Sequence, residues 1–406
     1  MTTPPCEKWL TLIGIGEEGI EAVSPAARKL LAQAKLVAGG ARHLALAGPL
    51  AAETMTWPSP LAAAIPEILR RRGSPVCVLA SGDPFLYGVG ALLSSHVEPD
   101  EMQCFPAPSA FSLAAARLAW SLQDCCLVSL HGRDFARIIP ALQPGARILC
   151  LSWDETTPLL LAKLLCARGL GQARITVLEA MGGPRERVTT CAAESFDIME
   201  LDPLNVVALE IPPLAPALFL SCASGLSDTW FENDGQLTKR EVRAITLSSL
   251  APRRGELLWD AGAGSGAIAI EWLLSCPANR AIAIEAREDR ASRIARNAQN
   301  LGVPHIEIVT KKAPEAFIGL PQPQAVFIGC GASSAPLLDA AFAALAPGGR
   351  LVVNAVTLES EAELIQRYKT QGGSLTRIEI SRGDALGSFH SWRPALPVTQ
   401  WAVTKS

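Results

Sequence analysis

Residues 257–270 read LLWDAGAGSGAIAI and carry the side chains with the clearest chemical purpose. Leu257, Leu258 and Trp259 make an apolar strand that ends on Asp260. Gly262, Ala263, Gly264, Ser265 and Gly266 follow, and then a helical run of Ile268, Ile270, Trp272 and Leu273. Glycines at alternate positions between strand and helix let the backbone turn sharply and approach a ligand, because no Cβ intervenes. A second apolar strand, Ala281–Ile284, ends on Glu285, 19 residues beyond Gly266. A carboxylate placed there accepts both ribose hydroxyls of an adenosine, so loop and acid together predict a nucleoside site. A bare strand–helix corner needs the glycines but not Glu285.

The third glycine falls one residue early for the dinucleotide fingerprint G-x-G-x-x-G, in which a pyrophosphate rests on the helix N-terminus. The spacing resembles that of S-adenosylmethionine (SAM) methyltransferases, whose ligand has no phosphate. SAM is therefore the expected cofactor, with a nicotinamide-dependent oxidoreductase as the alternative. Gly14-Ile-Gly16-Glu-Glu-Gly19 matches the fingerprint after a strand, but Glu17 and Glu18 put two carboxylates where a pyrophosphate would sit, a repulsive arrangement. More specific is Leu79-Ala-Ser81-Gly82-Asp83-Pro84, where an apolar strand stops in a polar turn ahead of a helix. Its plain reading is an Asx-Pro turn capping that helix.

These residues need a scaffold. After residue 236, strands at 256–260, 281–285, 305–309, 324–329, 350–354 and 375–380 alternate with helices at 267–275, 287–300, 333–345 and 358–371. Near-continuously apolar strands in such alternation predict a parallel sheet covered on both faces, with the ligand beyond the strands' carboxyl ends. Thr238 is the expected N-cap of a preceding helix. The first half reads as a less regular α/β pattern. Its strands are expected at 8–14, 35–38, 75–80, 126–130, 147–151, 174–179 and 205–210, and its helices near 25–34, 60–71, 87–94, 109–120 and 157–168. A Pro-, Ser- and Gly-rich stretch without a steady period separates the halves. The expected domains are 1–212 and 236–406, joined by a linker at 213–235.

The 406 residues exceed one compact core. With a formal net charge of −3 and no basic excess in either half, nucleic acid is not an expected partner. No apolar run approaches the ~20 residues of a membrane span, and the N-terminus lacks a signal-peptide pattern. The eleven cysteines are scattered without a CxxC pair. They read as buried thiols in a reducing cytoplasm, and no metal is expected.

The ordered segments GIG-x-x-G, SGDPFLYG, P-x-PSAFSLAAARL, LHGR and LEAMGGPRERV resemble the tetrapyrrole methylase family, in particular its corrin carbon-5 branch, over about residues 8–212. That family's first loop carries Pro and Gly where Glu17 and Glu18 stand here. LTKREVRA, WDAGAGSGAIAIEW, NAQNLGVPHIEIV, APEAF and PGGRLVVNAVTLES are similar to the carbon-15 methyltransferase/decarboxylases that act on the same corrin precursor. The resemblance implies a two-lobed methylase domain followed by a Rossmann-like class I methyltransferase domain. It also implies a cobalamin-pathway enzyme that makes two SAM-dependent C-methylations and decarboxylates the ring C acetate. A first half that serves only as a docking module is the competing arrangement.

By the same resemblance, SAM lies near Gly82, Asp83 and Met181 in the first domain. In the second it lies against Thr238, Gly262 to Gly266, Glu285 and Ala313. A precorrin bearing many carboxylates calls for cations at the clefts, and Arg185, Arg187, Arg240, Arg243 and Arg393 are the candidates. Asn354 ends a strand over the second cleft. His390, Trp392 and Arg393 sit in an expected loop between two late strands, which reads equally as a lid over a flat tetrapyrrole or as a plain hairpin end. Asp83, Asn354 and His390 are the candidate catalytic residues. The expected partner is the small tetrapyrrole alone, and the expected assembly is a homo-oligomer.

Overall fold

The computed structural model describes residues 8–213 and 219–406, so the 214–218 part of the expected linker lies outside the described residues. The chain divides into two compact units; the second comprises Phe219–Ser406 with the short stretch Ala136–Pro140, and the first comprises the remainder.

The first unit begins with β1 (Leu10–Ile15), α1 (Pro25–Gln33), β2 (Leu36–Gly39), α2 (Ala41–Ala47), β3 (Glu53–Thr56), α3 (Ile65–Arg70), β4 (Val76–Ser81), α4 (Val89–Leu93) and β5 (Met102–Phe105). Their strands form a parallel sheet of order β3-β2-β4-β1-β5. β1 is buried at every position because helices cover both faces. Ser24 caps α1 by accepting from the Ala27 N–H at 3.3 Å, and Pro25 occupies the first turn where no N–H is needed.

A second lobe follows: α5 (Ala110–Leu118), β6 (Cys125–Ser129), β7 (Arg147–Leu151), α6 (Thr157–Ala167), β8 (Arg174–Glu179), β9 (Arg187–Ala192) and β10 (Asn205–Glu210). Its sheet runs β6-β7-β10-β8-β9 and is mixed, with β10 antiparallel to both neighbours. Met181 packs in this lobe's core with Phe111 and Leu178.

The second unit contains α7 (Arg240–Leu250), β11 (Leu257–Ala261), α8 (Ala267–Ser275), β12 (Arg280–Ile284), α9 (Glu288–Leu301), β13 (Glu307–Val309), β14 (Ala325–Ile328), α10 (Ala335–Ala344), β15 (Arg350–Ala355), α11 (Leu358–Gln371), β16 (Ser374–Ile378), β17 (Ser381–Leu386), β18 (Phe389–Pro394) and β19 (Val398–Thr404). The main sheet has the order β13-β12-β11-β14-β15-β19-β16. Trp259 and Trp401 on its strands and Trp272 on α8 are almost wholly buried, and the Trp259 ring lies 4.9 Å from that of Phe317. Truncating such a side chain costs ~3–5 kcal/mol.

Three expectations are corrected here. The second sheet is not wholly parallel, since β19 runs antiparallel to both β15 and β16. The expected loop after residue 380 is a hairpin, β17–β18, because the two-residue turn Gly387-Ser388, with Gly387 at φ +61°, favours a tight reversal. Thr238 caps no helix; α7 begins at Arg240 after Lys239, with no side-chain cap.

Candidate functional site

In the second unit the chain leaves β11 through Gly262, Gly264 and Gly266, whose φ angles are +75°, +60° and +77°. The left-handed region is open to glycine at little cost. At Gly266 a Cβ would also stand 2.7 Å from an Ile294 methyl, so helix α9 packs directly under the loop. The loop is tied to β12, where the Gly262 and Ala263 N–H groups donate to the Ile284 carbonyl at 2.8 and 3.0 Å. Ser265 is buried, and its carbonyl accepts from Asn297 Nδ2 at 2.9 Å.

Two acids stand beneath the loop. Glu285 is buried and accepts from the Gly264 N–H at 2.9 Å and the Arg287 N–H at 3.0 Å. Asp260 accepts from the Ala269 N–H at 3.1 Å through Oδ2, while its buried Oδ1 has no hydrogen-bond partner among the described residues. Burial pushes the Asp260 carboxyl up to about 7, opposed by the Ala269 N–H and assisted by the charge of Glu285. An orphaned carboxylate oxygen beside a glycine cradle suits a cationic ligand such as SAM. Ala313 lies beyond β13 and is half-buried against the core.

The segment before α7 passes close to this loop. The Gln236 carbonyl is 3.6 Å from the place of a Cβ on Gly264. Arg243 fastens the segment from inside. It is fully buried, bonds Glu271 at 2.5 Å and Asp228 at 3.1 Å, and donates to the Thr238 and Leu226 carbonyls. The expectation that Arg243 meets a substrate carboxylate is thus corrected, because the side chain is fully buried and each of its three nitrogens donates within the protein. Arg240 donates to the Gly225 carbonyl at 3.0 Å.

Asn354 does not reach an open cleft either. Its Nδ2 donates to Thr246 Oγ1 and its Oδ1 accepts from Gln400 Nε2, each at 2.9 Å, in a buried network. His390 lies on β18, whose residues are all exposed, as are those of β17. The structure therefore does not bring Asn354 and His390 together, and Arg393 pairs with Asp384 on the same hairpin.

In the first unit, Ser81, Gly82, Asp83, Leu86, Tyr87 and Gly88 line a cavity of about 660 Å³ together with Met181 and residues of both lobes. That volume suits one sizeable organic ligand. Gly82 has φ +55°, and a Cβ there would meet the Pro108 carbonyl at 2.8 Å. Asp83 accepts from the Phe85 N–H at 2.9 Å, which is the expected Asx turn, although the next helix starts only at Val89. Tyr87 is held at φ +57°, a strained value for a side chain of its size, with its ring 6.1 Å from Phe111 and Arg133 stacked 5.3 Å above it.

Sequence reasoning missed the cations of this cavity, Arg42 and Arg133. The Arg185 and Arg187 it favoured are paired with Asp202 and Glu179. The signal for Arg42 was the Gly-Gly-Ala-Arg-His run directly after β2, at the carboxyl end of a parallel strand. Four of the described cysteines, Cys126, Cys166, Cys222 and Cys330, are exposed, which corrects the expectation of buried thiols. Among the described residues no three His, Cys, Asp or Glu side chains gather as a metal site requires, and no helix is long and apolar enough to cross a membrane.

Residues 9–197 match the family described as tetrapyrrole (corrin/porphyrin) methylases, and residues 229–405 match the precorrin methyltransferase domain. The chain is 53% identical over 398 residues to a precorrin-6Y C(5,15)-methyltransferase (decarboxylating) of a Sinorhizobium species, covering 98% of this chain and 96% of the relative. It is 40% identical over 400 residues to the Mycobacterium tuberculosis protein of the same description, covering 98% and 100%. The C-terminal domain of precorrin-6Y C5,15-methyltransferase from Rhodobacter capsulatus, a crystal structure, aligns with TM-score 0.44 and 46% identity over 46% of this chain and all of that one.

Proposed function

We propose a division of labour for this chain, which belongs to the family of precorrin-6Y C(5,15)-methyltransferases (decarboxylating). It catalyses methylation of a precorrin at carbons 5 and 15 with loss of the ring C acetate carboxyl group, in cobalamin biosynthesis. The observation that carries this is identity along essentially the whole length of relatives so described, across two units that each hold a glycine turn. The first unit, residues 1–212, takes the carbon-5 methylation. The second, 236–406, takes the carbon-15 methylation and the decarboxylation, with 213–235 between them.

SAM supplies an electrophilic sulfonium methyl group when bound. In the second unit Gly262 to Gly266 let the backbone close on the nucleoside, Glu285 faces the ribose, and Thr238 and Ala313 border the ligand. Asp260 balances the cationic centre. In the first unit Gly82, Asp83 and Met181 border the donor. The acceptor carbon is activated by the macrocycle's own nitrogens, so the residues serve chiefly to align donor and acceptor and exclude water. We read the assembly as a cytoplasmic homo-oligomer whose partner is the small tetrapyrrole, without nucleic acid or membrane.

Mass spectrometry of the product after incubating the chain with SAM and precorrin-6B tests the proposal. Two added methyl groups with loss of carbon dioxide are expected. A single methyl group would remove one unit from the assignment, and unchanged substrate would remove the tetrapyrrole.

A further inference from the structure

Arg42 stands at the start of α2 in the cavity wall of the first unit, facing the first loop. One edge of its guanidinium is fixed, since Nη2 donates to Ser81 Oγ at 2.8 Å, beside the ligand turn. Ser81 Oγ also lies 2.8 Å from His43 Nε2. Burial, with the Arg42 charge adding to it, holds the His43 imidazole down to about 4, so it is neutral near pH 7 and Arg42 carries the charge of the cluster. The other edge, through Nη1, pairs with Glu17.

Glu17 is not tied to Arg42 alone. Its side chain is only 9% exposed, and its second oxygen lies 3.4 Å from Arg185 Nη2. A buried carboxylate that leaves its partner with nothing in exchange is strongly disfavoured. Here Arg185 receives it, so Glu17 can release Arg42 without becoming an unpaired charge. A guanidinium oriented by one bond and closed on its other edge by a replaceable carboxylate is a ready site for an incoming carboxylate.

We propose that Arg42 binds a side-chain carboxylate of the tetrapyrrole and that Glu17 holds the same guanidinium edge until the ligand displaces it. Glu17 is thus an internal stand-in for substrate, and the subsite is closed in the empty protein. This rests on the reading of the first unit as a tetrapyrrole methylase domain.

The test is equilibrium binding of uroporphyrin, a stable polycarboxylic tetrapyrrole, to the full chain without SAM, followed by porphyrin emission anisotropy. The wild type is compared with Glu17→Gln, Arg42→Gln and the double variant. Loss of one charge-assisted hydrogen bond is worth about tenfold or more in affinity, so Arg42→Gln is expected to weaken binding about that much. Glu17→Gln is expected to tighten it severalfold, an effect that misfolding does not mimic. In the Arg42→Gln background Glu17→Gln is expected to change nothing.

Weaker or unchanged binding by Glu17→Gln overturns the proposal. So does tightening that persists in the double variant, which would report only a general change in charge. Mass spectrometry of the product that the same protein preparations make from SAM and precorrin-6B separates the two readings. A wild type that methylates carbon 5 but shows no coupling loses the subsite alone. One that shows the coupling but never methylates keeps the subsite and loses the assigned reaction.

Discussion

The loop Gly262–Gly266 of the second unit is fixed from below, by backbone bonds to β12, the buried Glu285 and the Ile294 side chain. The turn Ser81–Gly88 of the first unit is fixed from within, by Asp83 bonding its own Phe85 N–H and by Tyr87 in a left-handed conformation under Arg133. One is a glycine loop set over two acids, Asp260 and Glu285. The other lies in a wide cavity edged with aromatic and cationic side chains. The difference teaches that a glycine turn does not by itself define a ligand; the groups that brace it do.

The comparison breaks most severely through Arg243. Arg243→Met strands the buried Glu271 and frees the segment before α7. Equilibrium denaturation of the second unit's transition is expected to show a loss of about 3–5 kcal/mol. Gly266→Ala follows at about 2–4 kcal/mol, from a strained φ and the contact with Ile294. Its product by mass spectrometry is expected to carry the carbon-5 methyl only.

Asp260 sharpens the contrast by pH. Its folded pKa of about 7 lies above its ordinary 3.8, so the folded chain holds that proton more tightly than the unfolded chain. Its contribution to stability is fullest below pH 3.8, falls as pH rises toward 7, and is level beyond. Asp260→Asn is expected to abolish that fall, a difference of the order of 4 kcal/mol, read by thermal melts across the interval. In the wild type, calorimetry is expected to show tighter SAM binding as pH rises through 7. The smallest stability effect belongs to Asp83→Ala, which removes the Asx turn at about 1 kcal/mol. Its expected product has one methyl group and has lost carbon dioxide, the complement of Gly266→Ala.

What the sequence made legible follows from where each signal resides. β11, β12, β14 and β15 are almost wholly buried and read as near-continuous apolar runs, broken only by Asp260, Arg280, Arg350 and Asn354. β3 and β9 escaped notice because both are edge strands whose largely exposed residues show no apolar run. Glu285 could be picked out because its spacing from the glycines is local. Arg243 was misjudged because its partner is remote: Glu271 lies 28 residues away. A charge in a sequence carries no mark of whether its counter-ion awaits it in the fold. Thr238, Ala313 and Met181 are ordinary residues singled out by resemblance alone.

In two sheets the strand made last is not at an edge. β10 lies at the centre of the second lobe of the first unit, and β19 separates β15 from β16 in the second unit. During synthesis, a ribosome that has released residues up to 397 leaves β15 and β16 apart, each with an unmet row of amide and carbonyl groups facing the gap. The end of this sheet beyond β15 therefore cannot form strand by strand behind the ribosome. Its completion is a single late insertion, and the nascent chain must be kept from pairing elsewhere until then.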